Sequence, residues 1–170
     1  MKKQGFTLIE LMVVIVIMGI LAAVAVPKLF GMIAKSKASE VGPAAGTYVK
    51  LQEAYFSESN HVGNWTIIGY TAPGSGTATS GSTTNFDYAQ GGTYAGNTIA
   101  TNPSGTEVWT ATAKANLNDC GAGDTWGVQV TVSDDSKVSF ATGMSDEANC
   151  LTLTPNFKNI GTGTYTASGS

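Results

Sequence analysis

The sequence contains no arginine; all nine of its basic residues are lysines. The planar fork that grips phosphate and carboxylate groups is therefore missing. With a net charge of -3 there is no basic excess to hold a polyanion, so no specific nucleic-acid partner is expected. Histidine occurs once, at His61, which excludes His-rich metal sites and mechanisms that need two imidazoles. Two cysteines and one distant histidine make a poor zinc set. No nucleophile stands beside a base, and there is no phosphate-binding loop, so neither an enzyme nor a cofactor is expected. Charged residues make up only 12% of the chain. A length of 170 residues allows one compact domain and one further element.

What is present is concentrated at the start. Met1-Lys2-Lys3-Gln4-Gly5 is short and basic. After Phe6-Thr7-Leu8-Ile9 and one carboxylate, Glu10, the run from Leu11 to Val26 has no polar side chain. Phe6 to Val26 would form roughly 31 Å of helix at ~1.5 Å per residue, about the thickness of a bilayer's hydrocarbon core. Lys2 and Lys3 would hold the start on the cytoplasmic side. A cleaved secretory signal is the competing reading, with Ala22-Ala23-Val24-Ala25 as its cut site. Against it stand the length of the run, its continuation into a helical pattern and the embedded acid.

Glu10 needs a reason to lie so near a membrane core. It is either solvated or protonated at the interface, or it is matched by a cation. A cut after Gly5 would create such a cation, the α-amine of Phe6, about one helical turn away. A bundle of apolar helices with one such pair per subunit has a fixed axial register, because a slip leaves a charge buried alone.

Gly5-Phe6-Thr7-Leu8-Ile9-Glu10-Leu11 resembles the prepilin leader of type IV pilins and type II secretion pseudopilins, and the close match covers roughly residues 1–35. The resemblance implies that prepilin peptidase cuts between Gly5 and Phe6 and that Phe6 is N-methylated. It implies that Glu10 neutralises a neighbour's Phe6 amine during filament assembly, and that Gly19 and Pro27 are helix-weakening positions. It further implies an inner-membrane single-pass subunit, extracted by an assembly platform and its ATPase into a surface filament of identical subunits. Membrane lipid surrounds the stalk before assembly. Local melting of the helix between Gly19 and Pro27 in the filament is a further expectation.

The fold expected is α+β: a long N-terminal helix, transmembrane in its first half and bent at Pro27, packed on a small antiparallel sheet. The organisation expected is a leader at 1–5, a membrane or filament-core helix at 6–26, an amphipathic second half at 27–57 and a β-rich head at 58–170. Ala34, Ala38, Val41, Ala45, Tyr48, Gln52 and Tyr55 recur at helical spacing and mark the face under the sheet. Gly42-Pro43 and Gly46 should loosen this half. Phe30, Tyr48, Tyr55 and Phe56 read as packing residues rather than an electron path. Thr71 to Gly92 reads as a long surface loop. Val108–Ala113, Trp126–Val132 and Lys137–Ala141 read as strands, the last two a hairpin closed by Ser133-Asp134-Asp135-Ser136. Cys120 and Cys150 are expected to be oxidised in an exported head, and the pilin resemblance implies a disulfide-closed C-terminal loop. Asp134, Asp135, Asp146 and Glu147 either gather around calcium, as the pseudopilin resemblance suggests, or are a plain turn and surface. The function expected is a major pilin. The alternatives are a pseudopilin, a membrane-anchored binding domain that never polymerises, and an exported enzyme.

Overall fold

The computed structural model describes residues 5–100, 102–134 and 136–169. Its N-terminal third is a rod of two successive helices, α1 (Leu8–Ala38) and α2 (Val41–Ser59). Thr7 starts α1 as an N-cap, and Asn60 ends α2 in the left-handed conformation, its N–H donating to the Phe56 carbonyl at 2.8 Å. The helix continues through Gly19 and Pro27, and its interruption lies at Ser39 and Glu40. That is upstream of the Gly42–Gly46 stretch where the sequence suggested loosening. The cause is Pro43: a proline at this position has no N–H for the Ser39 carbonyl, so the defect falls one turn before the ring. Ser39 turns back instead, its N–H and hydroxyl both donating to the Ser36 carbonyl.

The head is a seven-stranded sheet in strict chain order: β1 (Ser75–Thr77), β2 (Ser80–Ser82), β3 (Phe86–Gln90), β4 (Thr106–Ala113), β5 (Thr125–Val132), β6 (Val138–Met144) and β7 (Gly163–Tyr165). Every neighbouring pair is antiparallel except β6–β7, which is parallel. A parallel return needs a crossover, and the chain supplies one through the short helix α3 (Glu147–Cys150) and a 3-10 turn at Phe157–Asn159. The β5–β6 hairpin pairs Trp126 with Met144 and Val132 with Val138.

One expectation is corrected here. Thr71 to Gly92 is not a loop but holds β1, β2 and β3. The first two are three-residue strands of Ser, Gly and Thr, which carry little strand propensity of their own and form by pairing with a neighbour. In β3 the period-two signal is present, with Phe86 and Tyr88 buried and Asp87 and Ala89 exposed. The parallel strand β7 was also not foreseen.

The core lies between the sheet and the second half of the rod. Ala34, Ala38, Val41, Ala45, Tyr48 and Gln52 are buried as their spacing required, while the last turn buries Phe56 and leaves Tyr55 half-buried. Small residues at 34, 38 and 45 let the sheet approach the helix backbone. Gln52 is tolerated because its amide pairs with the Gly63 backbone, donating to the carbonyl (3.0 Å) and accepting from the N–H (2.8 Å). Aromatic rings fill the widest part: Tyr48 on Tyr70, Trp65 on Tyr70 and Phe86 on Trp126 meet edge to face. Trp109 Nε1 donates to the Tyr70 hydroxyl and Trp126 Nε1 to Thr154 Oγ1, both at 2.8 Å. Burial pushes the Tyr70 hydroxyl up to about 12, against the opposing effect of the Trp109 bond. Glu40, at the helix interruption, accepts from Thr83 Oγ1 (2.6 Å) and the Tyr88 hydroxyl (3.2 Å), and so ties the rod to β3.

Candidate functional site: the bare stalk and its first turn

From Leu8 to Leu29 the rod stands clear of the head, and Phe30 and Ile33 border a cleft beside Asn116–Asn118. Phe6 is 85% exposed and Ile33 still 42%, and the apolar side chains between them are exposed throughout. Monomeric soluble proteins rarely leave a contiguous apolar surface of this extent uncovered. The rod is also the one helix among the described residues that is long and apolar enough to cross a membrane.

The first turn is built around Glu10. Glu10 Oε2 accepts from the Thr7 backbone N–H (2.8 Å) and the Thr7 hydroxyl (2.6 Å), while Thr7 Oγ1 accepts from the Glu10 N–H (3.4 Å). This is a capping box, in which an N-cap residue and the residue three further on satisfy each other's free donors. Its sequence signal, Thr followed by Glu at i+3 before an apolar run, is legible in Thr7-Leu8-Ile9-Glu10, yet the sequence reading weighed only solvent, a proton or the Phe6 amine as the match for Glu10. Gly5 and Phe6 precede the cap in non-helical, exposed backbone, and among the described residues no heavy atom beyond its chain neighbours lies within 4 Å of where a Gly5 Cβ would be. The Gly5–Phe6 peptide bond is therefore outside the helix. Gly19 likewise faces open space, and Pro27 sits within α1.

The remaining candidate residues lie in the head. Cys120 and Cys150 form a disulfide that ties the β4–β5 loop to α3. Asp124 lies close to both sulfurs, but the bond removes them as thiolate ligands. Asp124 instead accepts from the Gly121 N–H (2.6 Å) and Ser145 Oγ (3.0 Å). Asp134 and Asp146 flank opposite ends of β6, which spans about 20 Å at ~3.3 Å per residue, so they cannot share one cation. Asp146 caps α3 through the Asn149 N–H, and Glu147 pairs with Lys158. Asp135 lies outside the described residues. Among the described residues, strand β6 thus holds Asp134 away from Asp146 and Glu147, which fits the plain turn and surface of the two readings. One pair went unforeseen. The Tyr165 hydroxyl donates to Glu107 Oε2 (2.6 Å) across Gly127, where a Cβ would sit 2.1 Å from the hydroxyl oxygen.

Residues 1–26 match the prokaryotic N-terminal methylation motif. The chain is 44% identical over 59 residues to type IV major pilin protein PilA of Myxococcus xanthus, covering 35% of this chain and 27% of that protein. It is 40% identical over 101 residues to type IV major fimbrial protein FimA of Dichelobacter nodosus, covering 59% of this chain and 57% of that protein. Fimbrial protein EcpC of Eikenella corrodens is 46% identical over 56 residues, 33% of this chain and 37% of that protein. The chain thus matches between about a quarter and three-fifths of the length of these curated relatives. The motif and these likenesses show an N-terminal stalk similar to that of type IV major pilins and fimbrial proteins, carried here by a long helix on its sheet.

Proposed function

We propose that the chain is a major pilin, a structural subunit of a type IV pilus. The carrying observation is the apolar stalk, exposed from Phe6 to Ile33 on a head that buries its own core. Such a stalk is stable in lipid or against copies of itself. Before assembly it spans the inner membrane once, with the head outside. Prepilin peptidase cuts between Gly5 and Phe6 and Phe6 is methylated; the non-helical backbone before Thr7 supports access to that bond. An assembly platform and its ATPase then move the subunit into a filament. There, burial of the stalks supplies the driving force, and the Glu10 carboxylate takes the Phe6 amine of a neighbour. The contact is heterologous and does not close, which makes a fibre.

The relatives' names, major pilin and fimbrial protein, favour the pilus over a secretion pseudopilus. The test is electron microscopy of material sheared from the cell surface, with N-terminal sequencing and intact mass. Fibres whose subunit begins at methylated Phe6 are expected. A full-length or Ala25-cleaved chain, with no fibre, would make the stalk a plain anchor for a binding domain.

A further inference from the structure

Between Gly5 and Ile33 the stalk carries two charged side chains, Glu10 and Lys28, both exposed. They are 18 residues apart. At about 100° per residue that is five whole turns, so the two charges lie on one face of α1, roughly 27 Å apart along it. Between them on that face run Val14, Ile17, Leu21 and Val24, all apolar and exposed. Within one chain the pair cannot touch.

In a bilayer this arrangement is inexpensive. Lys28 follows the apolar Phe6–Val26 span, and its long stem lets the ammonium reach the interface. In a bundle of stalks an ammonium left without an anion is costly. The Phe6 amine can serve Glu10, but Glu10 is the single carboxylate between residues 5 and 33 that can serve Lys28.

We propose that Lys28 of one copy pairs with Glu10 of a second, parallel copy displaced along the filament axis by the length of chain that separates the two residues. The pairing rests on the assembly reading above and adds to it a second, more distant neighbour. A carboxylate has two oxygens; one takes the Phe6 amine of a near neighbour and the other the Lys28 ammonium. The displacement is about 27 Å while α1 is unbroken, and unwinding between Gly19 and Pro27 would lengthen it. Lys28 is thereby solvated in the membrane state and matched in the filament state.

Electron cryomicroscopy of filaments from the full chain tests this. The map is expected to place Lys28 Nζ within about 4 Å of a Glu10 carboxylate from another copy. A map in which Lys28 points to solvent, or meets a head carboxylate, overturns the pairing. Lys28→Met should lose most of the sheared filament, whereas Lys28→Arg should keep it; Lys28→Met filaments at wild-type yield overturn it as well. Filaments in which Glu10 meets only the Phe6 amine sink this inference and leave the assembly reading standing. The absence of any filament from the unaltered chain sinks both.

Discussion

Between Phe6 and Ile33 the rod exposes its apolar side chains in every direction, while between Ala34 and Phe56 the same rod buries one stripe under the sheet. The difference is in patterning. The first stretch is apolar all round and has no face to hide, whereas the second alternates Ala, Val and Tyr with Lys and Glu at helical spacing. One region is completed by its own chain and the other needs lipid or further copies. Stability and assembly should therefore be separable by mutation.

The largest effect expected is on assembly alone. Glu10→Ala should abolish filaments, or reduce them to traces, while leaving the melting of the head unchanged in detergent. Loss of the capping box costs the first turn only ~0.5–2 kcal/mol, and that turn is far from the sheet. Normal fibre yield and geometry in this variant would refute the register argument.

The head should fail as a unit at high pH, and the stalk should not. Burial pushes Tyr70 and Tyr94 up to about 12, from an ordinary value of 10.0. Tyr48 is raised by burial, and Tyr88 by burial and by the neighbouring Glu40 carboxylate. Unfolded tyrosines lose their protons near pH 10, while in the fold Tyr70 and Tyr94 hold theirs to about 12. In that window the unfolded state binds fewer protons, so stability falls as pH rises and is unaffected below it. The urea midpoint of the head should drop between about pH 9 and about pH 11, with tyrosinate absorbance appearing together with unfolding. An unchanged midpoint, with tyrosines ionising independently of unfolding, would contradict this.

Next in size is the disulfide. It closes a loop across a sequence separation of 30 residues, for which chain entropy gives about 3–4 kcal/mol. The double variant Cys120→Ser, Cys150→Ser should lose that much by denaturant titration. Filament yield should fall only as far as head folding does. A loss of filaments with a fully stable head would mean that the β4–β5 loop or α3 touches a neighbour, and the division between the two regions would be redrawn.

How much was legible follows the same division. The stalk reads directly from sequence because its structure depends on one helix and its solvent: length, absent polar groups and a lone acid suffice. The buried helix face from Ala34 to Gln52 was legible for a similar reason, as a local periodicity. The sheet was legible only where strands carry their own signal, as in Trp126–Val132. Strands β1 and β2 have none, and β7 owes its place to a crossover that sequence spacing does not reveal. Glu40 illustrates the limit: nothing local marks it as the residue that ties the rod to Thr83 and Tyr88, 43 and 48 positions away. At the candidate site the capping box was visible in Thr7 and Glu10 and was passed over, since a search for distant partners discounts a local one.

The smallest effect expected separates the stalk alone from the stalk in company. At Gly19 an added Cβ would meet nothing within 4 Å. Gly19→Ala should therefore stabilise the isolated helix by up to ~1 kcal/mol through backbone entropy, seen as slower amide exchange near residue 19 of the full chain in micelles. Gly127 shows the opposite case, since its Cβ would strike the Tyr165 hydroxyl within the head. If neighbouring stalks pack closely at Gly19, or if the helix must unwind there on entering the fibre, the gain in micelles will be accompanied by a loss of filament yield. An alanine that slows exchange and leaves assembly untouched would show that Gly19 serves neither purpose. The contacts that fix the register would then lie nearer Glu10.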